Sequence, residues 1–342
     1  MLPSMRIHPF ALALAIPAAL LQAQQGGTKP TAHELNFAAA AEFSEENAGL
    51  AVLVYDDGQL IFEQYQNGHK QGGTQHIFSG TKSFVPMVAL IAENEGLLTL
   101  EEKVCDTITE WRGDEKREQV TIRHLLNFTS GLKNIDSDLH SRTIRDQYAA
   151  SIACPCTRTP GQRFQYGSSH LMVFGELIKR KLKAASTKNQ PLPKDFVAYL
   201  KDRILKPIDC KFGKWLRDPK GNPAMSYGTY MTAREWAKFG LLVLNRGKHG
   251  DKQLIPTKHF DECFVGSKAM PNYGLNFWLI GKDANRRNEA IPADTVTAAG
   301  MYDQRLYIIP SNKLLVVRLG RTGARTRFND KQFLTCLFGT GE

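Results

Sequence analysis

The stretch FSGTKSF at residues 78–84 opens an apolar run that continues to Leu98. A run of this length with few breakers predicts a helix from Ser79 to Leu98, with Pro86 kinking it or marking its first turns. A spacing of three residues brings Lys82 to the helix face that carries the Ser79 hydroxyl. A serine becomes a good nucleophile only when a base removes its proton, and a desolvated lysine amine can do so. The alternative is that Ser79 caps the helix and Lys82 is solvated.

The same Ser-x-x-Lys spacing recurs at Ser130 and Lys133. The chain has 14 Ser and 24 Lys in 342 residues, so chance alone supplies about one such pair. Lys133 is followed by Asn-Ile-Asp, which is typical of a loop. Ser79 instead begins an apolar helix, whose first N–H groups are available to a developing oxyanion. The first pair is therefore the candidate site.

The composition is that of a globular protein. The chain is 42% hydrophobic and 23% charged, which excludes the disordered and collagen-like classes. The net charge of +10 permits contact with nucleic acid or an anionic surface, but no nucleic-acid recognition motif accompanies it. A solvated helix face explains the basic run at residues 179–183 more simply. We therefore expect no nucleic-acid partner.

The N-terminal stretch has the pattern of a secretory signal. Arg6 precedes an apolar stretch that is shorter than the roughly 20 residues needed to span a bilayer, and Ala23 supplies a small residue at its polar exit. The alternative is a buried N-terminal helix. We predict a signal peptide at residues 1–23, a linker at 24–35 and one domain at 36–342. A periplasmic or secreted protein with no stable membrane span follows from this pattern.

The cysteines leave their pairing open. The chain has six Cys, an even number that is compatible with disulfides in an exported protein. Sequence does not choose between the possible pairings. The Cys and His residues lack the spacing of a zinc or metalloprotease site, and we expect neither a metal nor an organic cofactor.

Strand signals lie at both ends of the chain. Residues 51–62 predict a hairpin with Asp57-Gly58 at its turn, and residues 305–317 predict a second hairpin turning at 310–312. A last amphipathic helix is predicted over residues 330–337. The sequence from about 100 to 200 is helical and loop-like. We expect an α+β fold, in which helices flank an antiparallel sheet built from both chain ends and an all-helical lobe is inserted between them.

Several blocks, in this order, resemble those of the serine β-lactamase-like hydrolases. This family includes penicillin-binding proteins, class C β-lactamases and related esterases. The blocks lie at residues 78–84, 120–132, 160–168, 231–240 and 298–307. The resemblance extends over roughly residues 45–338, and it is closest to the 6-aminohexanoate-dimer hydrolase and β-lactamase-related branch. It implies a β-lactamase/transpeptidase-like fold with the site in a cleft between an α/β lobe and a helical lobe.

The resemblance also implies roles for individual residues. Ser79 would be the nucleophile, Lys82 the general base, and Tyr166 a group that helps to move protons. The backbone N–H groups of Ser79 and Met301 would form the oxyanion hole. The other substrate-binding positions would be Ser168, Gly300 and Ala298. In the alternative interpretation, Tyr166 is a packed core aromatic and residues 298–300 are only a strand edge.

Two departures from the family pattern bear on the substrate. Ala298 stands where penicillin-recognising members carry a Lys that helps to hold the substrate carboxylate, and Ser168 stands in place of Asn. Both changes weaken the case for efficient β-lactam hydrolysis. Arg305, or another arginine nearby, could replace the missing cation.

These features together predict an exported serine hydrolase that cleaves a small-molecule ester or amide through an acyl-enzyme. One alternative is a β-lactamase or D-alanyl-D-alanine carboxypeptidase, which needs a carboxylate anchor. Another is a catalytically idle protein that binds peptidoglycan fragments or a partner. The substrate and the oligomeric state stay open at this point.

Overall fold

The computed structural model describes residues 35–139, 141 and 143–339. The predicted signal peptide lies outside the described residues, and so does the predicted linker except for its last residue. That residue, Leu35, is buried in an apolar cluster between the sheet and the terminal helices. No helix in the described ranges has the length and apolar character to cross a bilayer.

The described residues form the following helices and strands. The α-helices are α1 (Phe37–Glu46), α2 (Phe84–Asn94), α3 (Ile122–Leu126), α4 (Asp136–Leu139), α5 (Gln147–Ala153), α6 (Ser169–Ala185), α7 (Phe196–Leu200), α8 (Ala233–Leu244) and α9 (Asp330–Phe338). The strands are β1 (Gly49–Asp56), β2 (Gln59–Tyr65), β3 (Gln75–His76), β4 (Lys214–Trp215), β5 (Thr229–Met231), β6 (Lys248–His249), β7 (Lys252–Gln253), β8 (Val296–Gly300), β9 (Gln304–Ile309) and β10 (Leu314–Gly320).

Both predicted hairpins are present in one five-stranded antiparallel sheet, ordered β2-β1-β10-β9-β8. Asp57 and Gly58 connect β1 to β2 with φ of 47° and 82°, the left-handed conformation that a tight hairpin turn requires. Helices α1 and α9 pack together on one face of the sheet, and α8 packs on the other. Because both faces are covered, β1 and β10 are almost wholly buried. The predicted α+β fold is confirmed.

The segment that contains Ser79 is not one continuous α-helix as predicted. Residues 78–83 form a 3₁₀-helix, and α2 follows directly from it. Pro86 is the third residue of α2, where its missing N–H costs no hydrogen bond within the helix. The interpretation of Pro86 as a first-turn residue is therefore confirmed. The helix ends at Asn94 rather than Leu98 because Gly96 turns the chain with a φ of 73°.

The described residues between α2 and β4 contain α3 to α7, short 3₁₀-turns and isolated β-bridges, with no strand of the main sheet. This helical part corresponds to the predicted inserted lobe. A small sheet, ordered β3-β5-β4, joins the chain before the lobe to the chain after it. The pairing of β3 with β5 brings the 3₁₀-helix at residues 78–83 beside the segment that leads into β5.

Candidate active site

Ser79 and Lys82 are held together by the 3₁₀-helix that contains them. In this geometry side chains three residues apart lie directly above one another. The Lys82 Nζ atom lies 2.9 Å from Ser79 Oγ and 2.9 Å from the carbonyl oxygen of Ser226. Lys82 is only 3% exposed, so its amine meets these protein oxygens rather than bulk water. The pair has the arrangement that proton removal from a serine requires.

The backbone just before Ser79 is strained. Phe78 has a φ of 46°, which is unfavourable for a bulky side chain. Its ring packs between those of His76 and Tyr302, with centroid distances of 3.8 and 5.2 Å. These contacts stabilise the sharp turn that presents Ser79 at the start of the 3₁₀-helix.

Strand β8 passes very close to this turn. A Cβ atom at Gly300 would lie 2.1 Å from the carbonyl oxygen of Ile77, so only glycine allows the approach. Met301, the next residue, is 61% exposed. Ala298, by contrast, is 2% exposed and packs in the hydrophobic core. Its predicted substrate contact is therefore wrong for the side chain, because the strand places that methyl group among core residues.

Tyr166 lies close to the Lys82 amine. The Lys82 Nζ atom is 4.9 Å from the centre of the Tyr166 ring. The ring packs edge-on against Phe128 and stacks on Trp278, with centroid distances of 5.3 and 5.9 Å. Tyr166 is half-buried and in contact with the core, so the packed-aromatic interpretation describes part of its surroundings. Its position against Lys82 also places it at the site.

One cavity of about 620 Å³ contains most of the predicted site residues. It is lined by Ser79, Lys82, Tyr166, Ser168 and Met301, whereas Gly300 and Ala298 are not among its lining residues. The other lining residues are His76, Phe78, Asp136, Leu139, Ser141, Ile144, Gln147, Leu216, Arg217, Asp218, Pro219 and Tyr227. The described lobe and sheet residues thus meet at a single pocket around the Ser79 hydroxyl.

The model of the family described as Beta-lactamase matches residues 36–333. The chain belongs to the beta-lactamase family. A Bacillus anthracis protein described as a 6-aminohexanoate-dimer hydrolase has a similar structure, with 21% identity, 84% of this chain and 77% of that one covered, and a TM-score of 0.65. EstCE1, a hydrolase with promiscuous acyltransferase activity, is 16% identical, with 88% and 97% coverage and a TM-score of 0.67.

A third solved structure, the D-stereospecific amidohydrolase from Streptomyces sp., is 17% identical, with 89% of this chain and 99% of that one covered and a TM-score of 0.63. At these identities the likeness shows the fold. The family match makes this chain a serine hydrolase of the beta-lactamase family.

Sequence reasoning missed two residues at this site: Asp136, which lines the cavity, and Ser226, which contacts Lys82 but is not among the lining residues. Asp136 accepts a 2.7 Å hydrogen bond from the backbone N–H of Ser168. Ser226 supplies the second oxygen that contacts Lys82. Asp136 ends the Asn-Ile-Asp sequence after Lys133, a pattern that by itself indicates only a loop. The sequence could not identify Ser226, because its contact with Lys82 is made by a backbone carbonyl oxygen, which does not depend on the residue type.

The structure gives Arg305 a different role from the predicted one. Its guanidinium forms a 2.6 Å ion pair with Asp330 and donates a 3.2 Å hydrogen bond to the carbonyl oxygen of Gly300. The arginine is therefore neutralised by α9 and bonded to the backbone of β8. It does not replace the missing substrate cation.

The six cysteines, all among the described residues, are free thiols. The disulfides that the even count allowed are therefore absent from this structure. Burial raises the pKa values of Cys210 and Cys263 well above the ordinary range. These thiols are packed as small apolar side chains rather than poised to react.

A buried histidine lies behind the Tyr166 loop. His170 contacts Ser130 Oγ through Nδ1 and the carbonyl oxygen of Gln165 through Nε2, both at 2.8 Å. Burial lowers the pKa of His170 to about 4, so the ring is neutral at pH 7. In the neutral ring, Nε2–H donates to Gln165 and Nδ1 accepts from Ser130. The histidine therefore anchors the backbone beside Tyr166.

Proposed function

We propose that this serine hydrolase is exported and cleaves ester or amide bonds through an acyl-enzyme on Ser79. The observation that carries the proposal is the 2.9 Å contact between Lys82 Nζ and Ser79 Oγ inside a cavity. A buried amine at hydrogen-bond distance from a hydroxyl is the geometry of an activated serine.

The contacts support a stepwise reaction. The Lys82 amine donates to the Ser226 carbonyl oxygen and lies 2.9 Å from Ser79 Oγ. In the reaction, the unprotonated amine accepts the Ser79 proton. As Lys82 takes that proton, Oγ attacks the substrate carbonyl carbon. The N–H groups of Ser79 and Met301 stabilise the oxyanion. As this intermediate collapses, the bond to the leaving group breaks, Tyr166 gives its proton to the leaving group, and Lys82 passes the Ser79 proton on to Tyr166. Water then attacks the acyl-enzyme and gives a proton to Lys82, the bond between the acyl carbon and Ser79 Oγ breaks, and Oγ takes that proton back as the acid leaves.

The charges favour an ester or linear amide over a β-lactam. The position of the family's carboxylate-binding Lys is Ala298, a core residue, and Arg305 is paired with Asp330. Neither residue can anchor the carboxylate of a penicillin. The β-lactamase and carboxypeptidase alternatives therefore lack the cation that they need at these two positions.

Acylation of the purified protein tests this proposal. The panel is p-nitrophenyl butyrate, a short linear p-nitroanilide, a chromogenic cephalosporin and a D-alanyl-D-alanine peptide, with a fluorophosphonate as active-site label. We expect ester or anilide turnover and a fluorophosphonate adduct mapped to Ser79. Fast cephalosporin or peptide turnover would establish the β-lactamase or carboxypeptidase alternative. A stable adduct without turnover on every substrate would establish a binding protein.

Export is supported by the residue pattern at the N-terminus. Expression of the full chain in a bacterium, followed by cell fractionation and N-terminal sequencing, tests it. We expect a periplasmic or secreted product that begins at Gln24. A cytoplasmic product that retains residues 1–23 would contradict export and leave the hydrolase assignment intact.

A further inference from the structure

The two N–H groups that we assign to the oxyanion hole belong to separate segments of the chain. Ser79 follows β3 and the strained Phe78, whereas Met301 is the first residue of the 301–303 loop, which joins β8 to β9. Both N–H groups can bind one oxyanion only if the two segments keep their separation to within about 0.5 Å. The contacts that hold the 301–303 loop in place therefore bear on catalysis.

The backbone of the 301–303 loop is strained. Tyr302 and Asp303 have φ of 58° and 60°. This left-handed conformation is uncommon outside Gly, Asn and Asp, so it is unfavourable for Tyr302 in particular. The Tyr302 ring packs edge-on against Phe78, whose own φ is also positive. Strained backbone of this kind persists only where the surrounding structure holds it.

Gln304 supplies this support from inside the protein. Its side chain is fully buried. Its Nε2 atom lies within hydrogen-bond distance of three carbonyl oxygens, those of Met301 at 3.3 Å, Tyr302 at 3.0 Å and Gly320 at 2.8 Å. Its Oε1 atom accepts from the Gly320 N–H at 2.9 Å. One buried amide therefore binds the 301–303 loop to the end of β10.

The end of β10 also connects this loop to the nucleophile segment. The carbonyl oxygen of Gly320 accepts a second hydrogen bond, at 2.9 Å, from Gln75 Nε2 in β3. A Cβ atom at Gly320 would lie 2.1 Å from the carbonyl oxygen of Tyr302, so only glycine allows the close approach. A continuous set of hydrogen bonds thus runs from the 301–303 loop to the strand just before the 3₁₀-helix at residues 78–83.

We propose that Gln304 and Gln75 are positioning residues, which act through Gly320 to set the Met301 N–H against the Ser79 N–H. This inference rests on the proposed function. Neither glutamine lines the Ser79 cavity, so both act through the backbone rather than on the substrate. Their loss should weaken binding of the transition state and leave binding of the substrate almost unchanged.

Gln304→Met tests the proposal, because methionine has a similar volume and flexibility but no N–H donor. Loss of a whole oxyanion donor costs roughly 10²- to 10³-fold, so a displaced donor should cost about 10- to 100-fold. We expect a fall of that size in the single-turnover acylation rate with saturating p-nitrophenyl butyrate. The half-saturating concentration should stay within about threefold of the wild type.

Gln66→Met is the matched control. Gln66 is also buried, and its Nε2 atom donates to the Ala41 carbonyl oxygen of α1 at 2.6 Å. It is not among the residues that line the Ser79 cavity. This variant should lose stability in urea unfolding, as Gln304→Met does, but keep the wild-type acylation rate.

A transition-state analogue separates positioning from a general loss of structure. When butylboronic acid binds, boron forms a bond to Ser79 Oγ and Lys82 takes the hydroxyl proton. The boron becomes a tetrahedral anion, and one of its oxygens occupies the oxyanion position. We expect its inhibition constant to rise about tenfold or more in Gln304→Met and to stay unchanged in Gln66→Met.

Gln75→Met keeps the experiment decisive if Gln304→Met does not fold. Gln75 is only half-buried and lies in a two-residue strand, so its loss should be tolerated. We expect a smaller fall in acylation, about threefold to tenfold, again with little change in half-saturation. The double variant should lose less than the product of the two single effects, because both glutamines bind the same carbonyl oxygen.

Wild-type acylation by folded Gln304→Met would overturn the inference. Wild-type acylation by Gln75→Met would also overturn it if Gln304→Met does not fold. A loss of acylation in Gln66→Met equal to that in Gln304→Met would do the same, because it would show a general effect of destabilisation. A wild type that forms no acyl adduct on Ser79 would instead refute the proposed function.

Discussion

Two segments of this molecule have the same Ser-Gly-x-Lys pattern and different structures. At residues 79–82 a 3₁₀-helix brings the lysine amine to 2.9 Å from the serine hydroxyl. At residues 130–133 the glycine has a φ of 80°, and the chain turns instead of coiling. There the serine is buried against His170, while Lys133 is exposed. The spacing of a motif has chemical meaning only through the backbone conformation that it adopts.

The two glycines explain the different conformations. A Cβ atom at Gly131 would lie 2.1 Å from the carbonyl oxygen of Arg158, and its positive φ excludes most other residues. At Gly80 the nearest obstacle is the ring of Trp236, at 2.7 Å, and the backbone is helical. Gly131 permits a reversal of the chain, and Gly80 permits close contact between the 3₁₀-helix and Trp236.

Replacing each serine by alanine should give the largest difference. Ser79→Ala is expected to lower kcat/KM for p-nitrophenyl butyrate roughly 10⁴-fold, because no other group can form the acyl bond. Ser130→Ala should acylate normally but lose about 1 to 3 kcal/mol of unfolding free energy, since His170 loses a partner. Ester kinetics, intact mass and urea unfolding measure these effects. Fast turnover by Ser79→Ala would remove Ser79 from the mechanism.

Substitution of Lys82 should reduce catalysis far more than substitution of Lys133, as for the two serines. Lys82→Met is expected to reduce kcat about 10³-fold, because the variant keeps much of the side-chain volume and has no proton acceptor. Lys133→Met should remain within about twofold of the wild type, because this side chain is exposed and is not among the residues that line the Ser79 cavity. The comparison uses acylation rates in single-turnover experiments. Equal effects of the two substitutions would show that the contact with Ser79 is not catalytic.

The glycines should separate stability from activity. Gly131→Ala is expected to lower the unfolding free energy by roughly 4 kcal/mol, from the left-handed backbone and the clash with Arg158. Gly80→Ala should cost about 2 kcal/mol, but it should also reduce kcat by moving the 3₁₀-helix away from Trp236. Urea unfolding and activity per folded molecule distinguish the two. Full activity in the Gly80→Ala variant would mean that the Trp236 ring moves instead.

The smallest expected effect is the dependence of stability on pH that arises from His170, the partner of Ser130. The pKa of His170 is about 4 in the folded protein, against 6.5 for a free histidine. The folded state therefore binds fewer protons than the unfolded chain in this range, and stability is lost as the pH falls from 6.5 towards 4. We expect about 2 kcal/mol less unfolding free energy at pH 5 than at pH 7.

His170→Gln supplies the control for this pH dependence, because glutamine keeps a donor and an acceptor but does not titrate. Its unfolding free energy should fall less between pH 7 and pH 5, whatever its absolute value. An unchanged slope would assign the acid sensitivity to carboxylates elsewhere in the protein.

Local pattern predicted much of this molecule. The Asp57-Gly58 turn, the hairpin at residues 305–317 and the final helix each depend on neighbours in sequence, and all three are present. Ser79 and Lys82 were recognisable for the same reason, because three residues separate them. Even there, the sequence did not distinguish a 3₁₀-helix from an α-helix.

The remaining parts of the site depend on distant contacts. Ser226 contacts Lys82 although the whole inserted lobe lies between them in the sequence. Its contribution is a backbone carbonyl oxygen, which every residue type possesses. From the sequence, Arg305 could bind a substrate carboxylate, but in the structure it is paired with Asp330 of α9. Ala298 belonged to the expected strand, but which face its methyl group occupies depends on how that strand packs. Such features follow from tertiary packing rather than from local preference.

The pairing of β1 with β10 has a consequence for how the protein is made. About 260 residues separate the end of the first strand from the start of the second, so the ribosome adds them for roughly 10 to 50 s before the partner exists. During that time β1 and β2 are at best an isolated hairpin, which is marginally stable. The nascent chain therefore stays open until synthesis is nearly complete. If the chain is exported as we propose, a sheet that closes late keeps it open enough to pass through a translocation pore. The late closure also keeps an unfinished hydrolase inactive.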